Sequence, residues 1–130
     1  MKTIQDKPHV TLIRGPIVTT VKALNNPAVP SITLAYLSAY IKDRDYKVDW
    51  IDAIGEGLDT IWQSDDYPGY AINGLRIKEI IDRIPTHTSV IGINAMFSSE
   101  WPMTRDLINA IRNNFPDVTI VAGGEHITAL

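Results

Sequence analysis

Thr119-Ile-Val-Ala-Gly123-Gly124-Glu125-His126-Ile-Thr128 is the stretch on which the reading of this chain turns. A β-branched apolar run leads straight into two glycines and then into a polar cluster. Such a run suits a strand buried in a parallel sheet. Glycines at its carboxyl end have no Cβ, so another backbone or a ligand can come close. In open α/β sheets, ligands bind outside the carboxyl ends of the strands. The stretch therefore predicts one wall of a crevice, provided that the preceding residues build a sheet.

Their pattern predicts one. His9-Val-Thr-Leu-Ile13 is a compact apolar run stopped by Arg14-Gly15-Pro16, a first strand. Ser31 to Asp43 reads as a helix with Ser31 as N-cap after Pro30. Ile32, Ala35, Tyr36, Ala39 and Tyr40 form one stripe of it, and Leu34, Leu37 and Ile41 a neighbouring one. So broad an apolar face predicts a helix largely covered by sheet or ligand. Val48, Trp50 and Ile51 make a second strand ending at Asp52, which closes a right-handed, parallel β-α-β unit. Ile77, Ile80, Ile81 and Ile84 repeat at helical spacing before Pro85, with Asn73 as a candidate cap. Ser89 to Met96 is a third strand. Met103, Leu107, Ile108, Ile111 and Phe115 lie on a further helix bracketed by Pro102 and Pro116. Val118 to Ala122 is the fourth strand. The alternation predicts one α/β domain over residues 1–130, a three-layer Rossmann-like (flavodoxin-like) fold with a parallel sheet of strand order 2-1-3-4.

Composition narrows the functions. The chain has 130 residues, 45% hydrophobic and 21% charged, which suits a single globular domain. A net charge of −3 argues against a general nucleic-acid or membrane-surface binder. There is no cysteine, which excludes disulfides, thiolate metal sites and a cysteine-held iron–sulfur cluster in these residues. The first residues have no apolar core of a signal peptide, and no run approaches the roughly 20 apolar residues of a membrane span. A cytoplasmic location is expected.

Several segments bear on a site. The connection from Ile17 to Pro30 exceeds the usual βα loop of about 2–6 residues, and it leaves the ligand side of strand one. It is either functional or a surface excursion with a short strand or helix at Val18–Leu24. Gly55 to Tyr70 reads as irregular. Asp52, at the end of strand two, could hold a ribose or cap the next turn; no G-x-G-x-x-G fingerprint precedes it. Ser98 and Ser99, between strand three and a helix, could hold polar groups of a ligand, act as an N-cap, or both.

Pro30-Ser-Ile-Thr-Leu34-Ala-Tyr-Leu37, Val48-Asp-Trp-Ile-Asp52-Ala, Val90-Ile-Gly92-Ile, Ser98-Ser99 and Val121-Ala-Gly-Gly-Glu-His126-Ile-Thr128 together resemble the amino-terminal cobalamin-binding domain of cobalamin-dependent radical S-adenosylmethionine enzymes. The likeness covers nearly the whole chain after His9, and G-G-x-H-x-T after a fourth strand is its strongest piece. The resemblance implies a corrin ring over the carboxyl ends of the strands. The nucleotide tail would run down between sheet and helices beside Gly123 and Gly124. Gly124→Val is accordingly expected to abolish binding while sparing the fold. Pro16, Pro30, Ser31, Asn94, Ser98, Ser99, Gly123, Gly124, Glu125, His126 and Thr128 are the implied cofactor-binding residues, none of them catalytic. Methionine-synthase-type relatives carry D-x-H-x-x-G after the first strand; here Arg14-Gly-Pro stands there. No histidine ligand to cobalt is therefore expected, and His126 is expected to cap or hydrogen-bond. The C-x-x-x-C-x-x-C triad that holds a 4Fe-4S cluster for S-adenosylmethionine is absent. The resemblance implies a fragment that stops before a further helix and a fifth strand, with a radical S-adenosylmethionine domain downstream as partner. Methyl transfer or related radical chemistry would belong to that domain. A flavin- or nucleotide-binding module of the flavodoxin type stays open as an alternative. So does a non-catalytic interaction domain, including self-association through the edge of strand four.

Overall fold

A computed structural model describes residues 7–22 and 29–129. Four parallel strands form the main sheet: β1 (Val10–Arg14), β3 (Val48–Asp52), β6 (Val90–Asn94) and β7 (Thr119–Gly123), in the spatial order β3-β1-β6-β7. Numbered by these four strands alone, that is the predicted 2-1-3-4. A second sheet of three antiparallel strands adjoins it: β2 (Ile17–Thr20), β4 (Ile61–Trp62) and β5 (Tyr70–Asn73), in the order β2-β5-β4. This small sheet was not expected. The irregular reading of Gly55 to Tyr70 gives way to β4 and the start of β5. The long connection contributes β2, while residues 23–28, including Leu24, lie outside the described residues.

The α/β alternation places helices on both faces. Helix α2 (Ile77–Arg83) and helix α3 (Trp101–Asn114) cover one face. Ile80, Leu107 and Ile111 of these helices, and Ile84 just after α2, pack with Ile13, Ile51, Ile91 and Ile93 of the strands in the main core. Pro102 sits in the first turn of α3, where a missing N–H costs nothing, and Met103, Leu107 and Ile111 recur on its buried side. Leu107 and Ile111 are fully buried, so truncation of either to alanine removes about 2–5 kcal/mol. Asn73 does not cap α2. It closes β5 and is buried, and Arg76 is the N-cap, its N–H donating to the Glu79 carboxylate at 2.8 Å. The Tyr67 hydroxyl donates to the Asp106 carboxylate and ties the small sheet's approach to α3; desolvation and that bond push its pKa up to about 12.

Helix α1 (Ile32–Lys42) lies on the opposite face, beside β1 and β3. Ser31 is its N-cap as expected, accepting from the Leu34 N–H at 3.2 Å. Its apolar surface is not covered as expected. Only Leu34 and Ser38 are buried, while Ile32 is 67% and Tyr36 75% exposed. The helix covers only part of its face of the sheet, and the remainder stays open. Among the described residues no helix is long and apolar enough to cross a membrane.

Candidate functional site

Side chains alternate along a strand, so strand register fixes what the open face presents. Three rows cross it. Val48, Val10, Val90 and Thr119 align at the amino-terminal end; Trp50, Leu12, Gly92 and Val121 align in the middle; Asp52, Arg14, Asn94 and Gly123 align at the carboxyl end. The first two rows are almost wholly apolar and the third is mainly polar. The face thus changes character at the strand ends.

Two cavities follow that change. An apolar groove of about 560 Å³ runs between α1 and the sheet, bounded by Leu34, Leu37 and Ile41 on the helix side and Leu12, Gly92 and Val121 on the sheet side. It extends from Val10 and Val90 to Gly123 and Gly124. Four strand steps make that a length of about 13 Å. A second chamber of about 460 Å³, of mixed polar and apolar lining, sits over the carboxyl ends, bounded by Arg14, Pro16, Pro30, Ser31, Asn94 and Glu100 among others. Thr33, Asn94 and Met96 line both, so groove and chamber meet at the polar row.

The chamber's charges are arranged by the strand ends. Arg14 stands 3.6 Å from Asp52 and donates to the Val29 carbonyl at 2.7 Å. Asp52 takes the capping role of its two predicted ones: it accepts from the Ile54 N–H at 3.2 Å and folds over Gly55. Glu100 has its pKa raised by burial, against the lowering influence of Arg14 and of a hydrogen bond from the Val18 backbone. No histidine lines the chamber or the groove.

The glycine pair divides into two roles. Gly124 has φ +116°, and a Cβ there would lie 2.6 Å from the Ala95 carbonyl oxygen. Neighbouring backbone bonds hold this approach: Ala95 N–H donates to the Gly123 carbonyl and His126 N–H to that of Ala95. Gly124 is therefore required by the turn, and the expectation that Gly124→Val spares the fold is corrected. Gly123 is different: a Cβ there meets nothing within 4 Å. It borders the groove with room to spare. At Gly92 a Cβ would come within 2.9 Å of Leu12 Cδ2, so its bareness serves the leucine beside it.

The remaining expected residues scatter. Ser98 Oγ lies 2.9 Å from His126 Nδ1, and the His126 ring lies against Trp101 with centroids 4.9 Å apart. Ser98, Glu125 and His126 line a smaller recess that shares Met96 and Phe97 with the chamber rim. Ser99 lines a separate recess with Val18, Tyr67 and Tyr70. Neither serine caps a helix through its side chain; Phe97 and Glu100 occupy those positions. Thr128, in the short helix α4 (Glu125–Thr128), turns its hydroxyl to the carbonyls of Gly124 and Glu125. Arg14, Thr33, Met96 and Glu100 were not singled out from sequence. The strand-end position of Arg14 was the available signal.

The arrangement defines a three-layer α/β domain whose open sheet face and strand ends form one continuous crevice. No family model, curated protein or solved structure matches this chain.

Proposed function

We propose that this chain binds a cobalamin-class corrinoid, ring over the strand ends and nucleotide tail in the groove. The junction of an elongated apolar groove with a second chamber of mixed polar and apolar lining carries this reading. A large ligand with a broad polar-fringed head and a narrow tail matches that shape. A compact nucleotide would leave most of the groove unfilled. Gly123 and the open half of the face beside Val121 leave space where the tail would pass. Pro16, Pro30, Ser31 and Asn94 would border the ring, and Ser98, Glu125 and His126 its far rim.

Arg14-Gly-Pro stands where a D-x-H-x-x-G motif would follow the first strand, which supports a base-off mode without a histidine ligand to cobalt. His126 has Nδ1 engaged by Ser98, and its Nε2 is buried without a partner. The bound corrinoid would supply a cobalt centre able to carry a methyl group. The chain's own part is to orient the cofactor and exclude water from its tail. A downstream radical S-adenosylmethionine domain would hold the 4Fe-4S cluster and perform the methyl transfer or related reaction.

Titration with hydroxocobalamin, followed by visible absorption and gel filtration, tests this. Co-migrating corrinoid with a base-off spectrum is the expected result. Failure of any corrinoid to co-migrate at saturating concentration sinks the proposal. Reduction to the cob(II)alamin state then adds a second readout: nitrogen superhyperfine splitting in its electron paramagnetic resonance would refute the absence of an axial nitrogen.

One observation favours a second reading, an interaction domain. Ile32, Tyr36 and Tyr40 lie exposed on α1. A contiguous apolar surface of this kind marks association sites. Concentration-dependent mass by light scattering, abolished by Tyr36→Lys, would support it.

A further inference from the structure

We propose that His9, Asp49 and His87 form a binding site for a divalent first-row transition-metal ion, at the end of the sheet opposite the crevice. One ligand atom from each of the three lies within 4.8 Å of the other two. The sheet sets this geometry. Asp49 pairs in register with Thr11 and shares its face, and His9 lies two residues before Thr11 on the same side. His87 is brought alongside by the start of β6: Ser89 and Val90 N–H both donate to the His9 carbonyl, at 2.9 and 3.1 Å. Thr88 Oγ1 lies 2.8 Å from Thr11 Oγ1. The two imidazoles meet edge to face with centroids 4.2 Å apart.

His9 Nε2 is 2.7 Å from the Asp49 carboxylate, and His9 Nδ1 is buried with no hydrogen-bond partner. An ion shared with Asp49 would sit on Nε2, the nitrogen that faces the carboxylate. Two imidazoles and one carboxylate are a donor set suited to zinc and its neighbours, which also accept solvent at an open position. Bonds of about 2.0–2.2 Å place tetrahedral ligands about 3.4 Å apart, so the widest pair must close by about 1.4 Å at most and the His9–Asp49 pair, now 2.7 Å apart, must open by about 0.7 Å. The exposed His87 and Asp49 side chains can supply that by rotation. The sequence contains three histidines and no cysteine, so imidazole-dependent binding has one competitor at most, His126.

The test uses metal-free, untagged protein titrated with zinc chloride and followed by the imidazole ¹H–¹⁵N correlations of the three histidines. The His9 and His87 signals should move together and saturate at one equivalent, with His126 unmoved and the thermal midpoint raised. Loss of one ligand should weaken zinc by about 100-fold in His87→Ala, at least as much as the 10–100-fold that losing an outer-shell partner costs. Asp49→Asn, which keeps size and a hydrogen bond, should weaken it by about tenfold or more. Both positions are exposed, so the folded state survives either change. Absence of shifts at millimolar zinc, shifts confined to His126, or unchanged affinity in either variant overturns the proposal. The outcome is independent of whether a corrinoid binds.

Discussion

At the scale of the residue, the adjacent glycines Gly123 and Gly124 make opposite predictions. Gly124→Ala forces a side chain into a left-handed backbone and onto the Ala95 carbonyl. Strain and overlap together should cost about 2–5 kcal/mol, read as a lower urea midpoint at unchanged slope. Gly123→Val adds a β-favouring residue to a strand where nothing obstructs it. Its stability should change by about 0.5 kcal/mol or less, while corrinoid affinity falls about tenfold or more because the valine occupies the groove. Wild-type corrinoid affinity in Gly123→Val would remove the tail from this groove. The sequence displayed the pair but not the division between them, because backbone handedness at Gly124 depends on Ala95, far off in sequence. Glu100 gives a second residue-scale prediction. Burial raises its pKa above the ordinary 4.5, so the folded state holds the proton more tightly than the unfolded one. The stability contributed by the protonated form is present below 4.5 and is lost as pH rises through the raised value. Glu100→Gln should therefore flatten the decline in stability as pH rises above 4.5, measured by urea unfolding across that range. An unaltered decline would show that Glu100 titrates as it does in the unfolded chain.

At the scale of the element, α1 is the piece whose fit to the rest is incomplete. Its cap and length were legible, because Ser31 and the apolar spacing from Ile32 onward are local signals. What covers it was not, since apolar spacing tells that a face is apolar but not what meets it. The structure leaves Leu37 46% and Tyr40 59% exposed and opens a groove along Leu34, Leu37 and Ile41. A helix held by so few buried contacts opens at lower free energy than one seated in the core. Amide hydrogen exchange over Ile32–Lys42 should accordingly be faster than over Trp101–Asn114 in the free protein. It should slow selectively when hydroxocobalamin binds. Equal protection of the two helices without ligand would mean that α1 is already fully packed. The small sheet was missed for a related reason. Ile61-Trp62 is two residues long and Tyr70-Ala-Ile-Asn73 four, too short to display alternation, and both lie among glycines and aspartates that read as turns. Their pairing is non-local: Thr19 meets Ala71 and Trp62 meets Ile72. The four core strands were legible because each is a β-branched run separated from the next by a helical repeat.

At the scale of the whole molecule, the parallel order β3-β1-β6-β7 puts all four carboxyl ends on one edge and gathers Asp52, Arg14, Asn94 and Gly123 there in a single row. Topology alone thus brings residues from positions 14 to 123 into one crevice, and the order was readable because right-handed crossovers leave few alternatives. The opposite end collects His9, Asp49 and His87 by the same geometry. A ligand held across several strands and α1 binds only the folded chain, so binding must appear as global stabilisation. At a hundredfold excess over its dissociation constant, hydroxocobalamin should add about 2.7 kcal/mol. For a domain of this size that raises the thermal midpoint by about 10 °C. The increase should vary with the logarithm of ligand concentration, and Gly123→Val should remove it while keeping the ligand-free midpoint. Flavin mononucleotide, which would occupy the chamber but not the length of the groove, should give a much smaller shift. An equal or larger shift with the flavin would reassign the crevice to a compact nucleotide. No shift with either would leave the exposed apolar surface of α1 as the feature to pursue, with a protein partner in place of a cofactor.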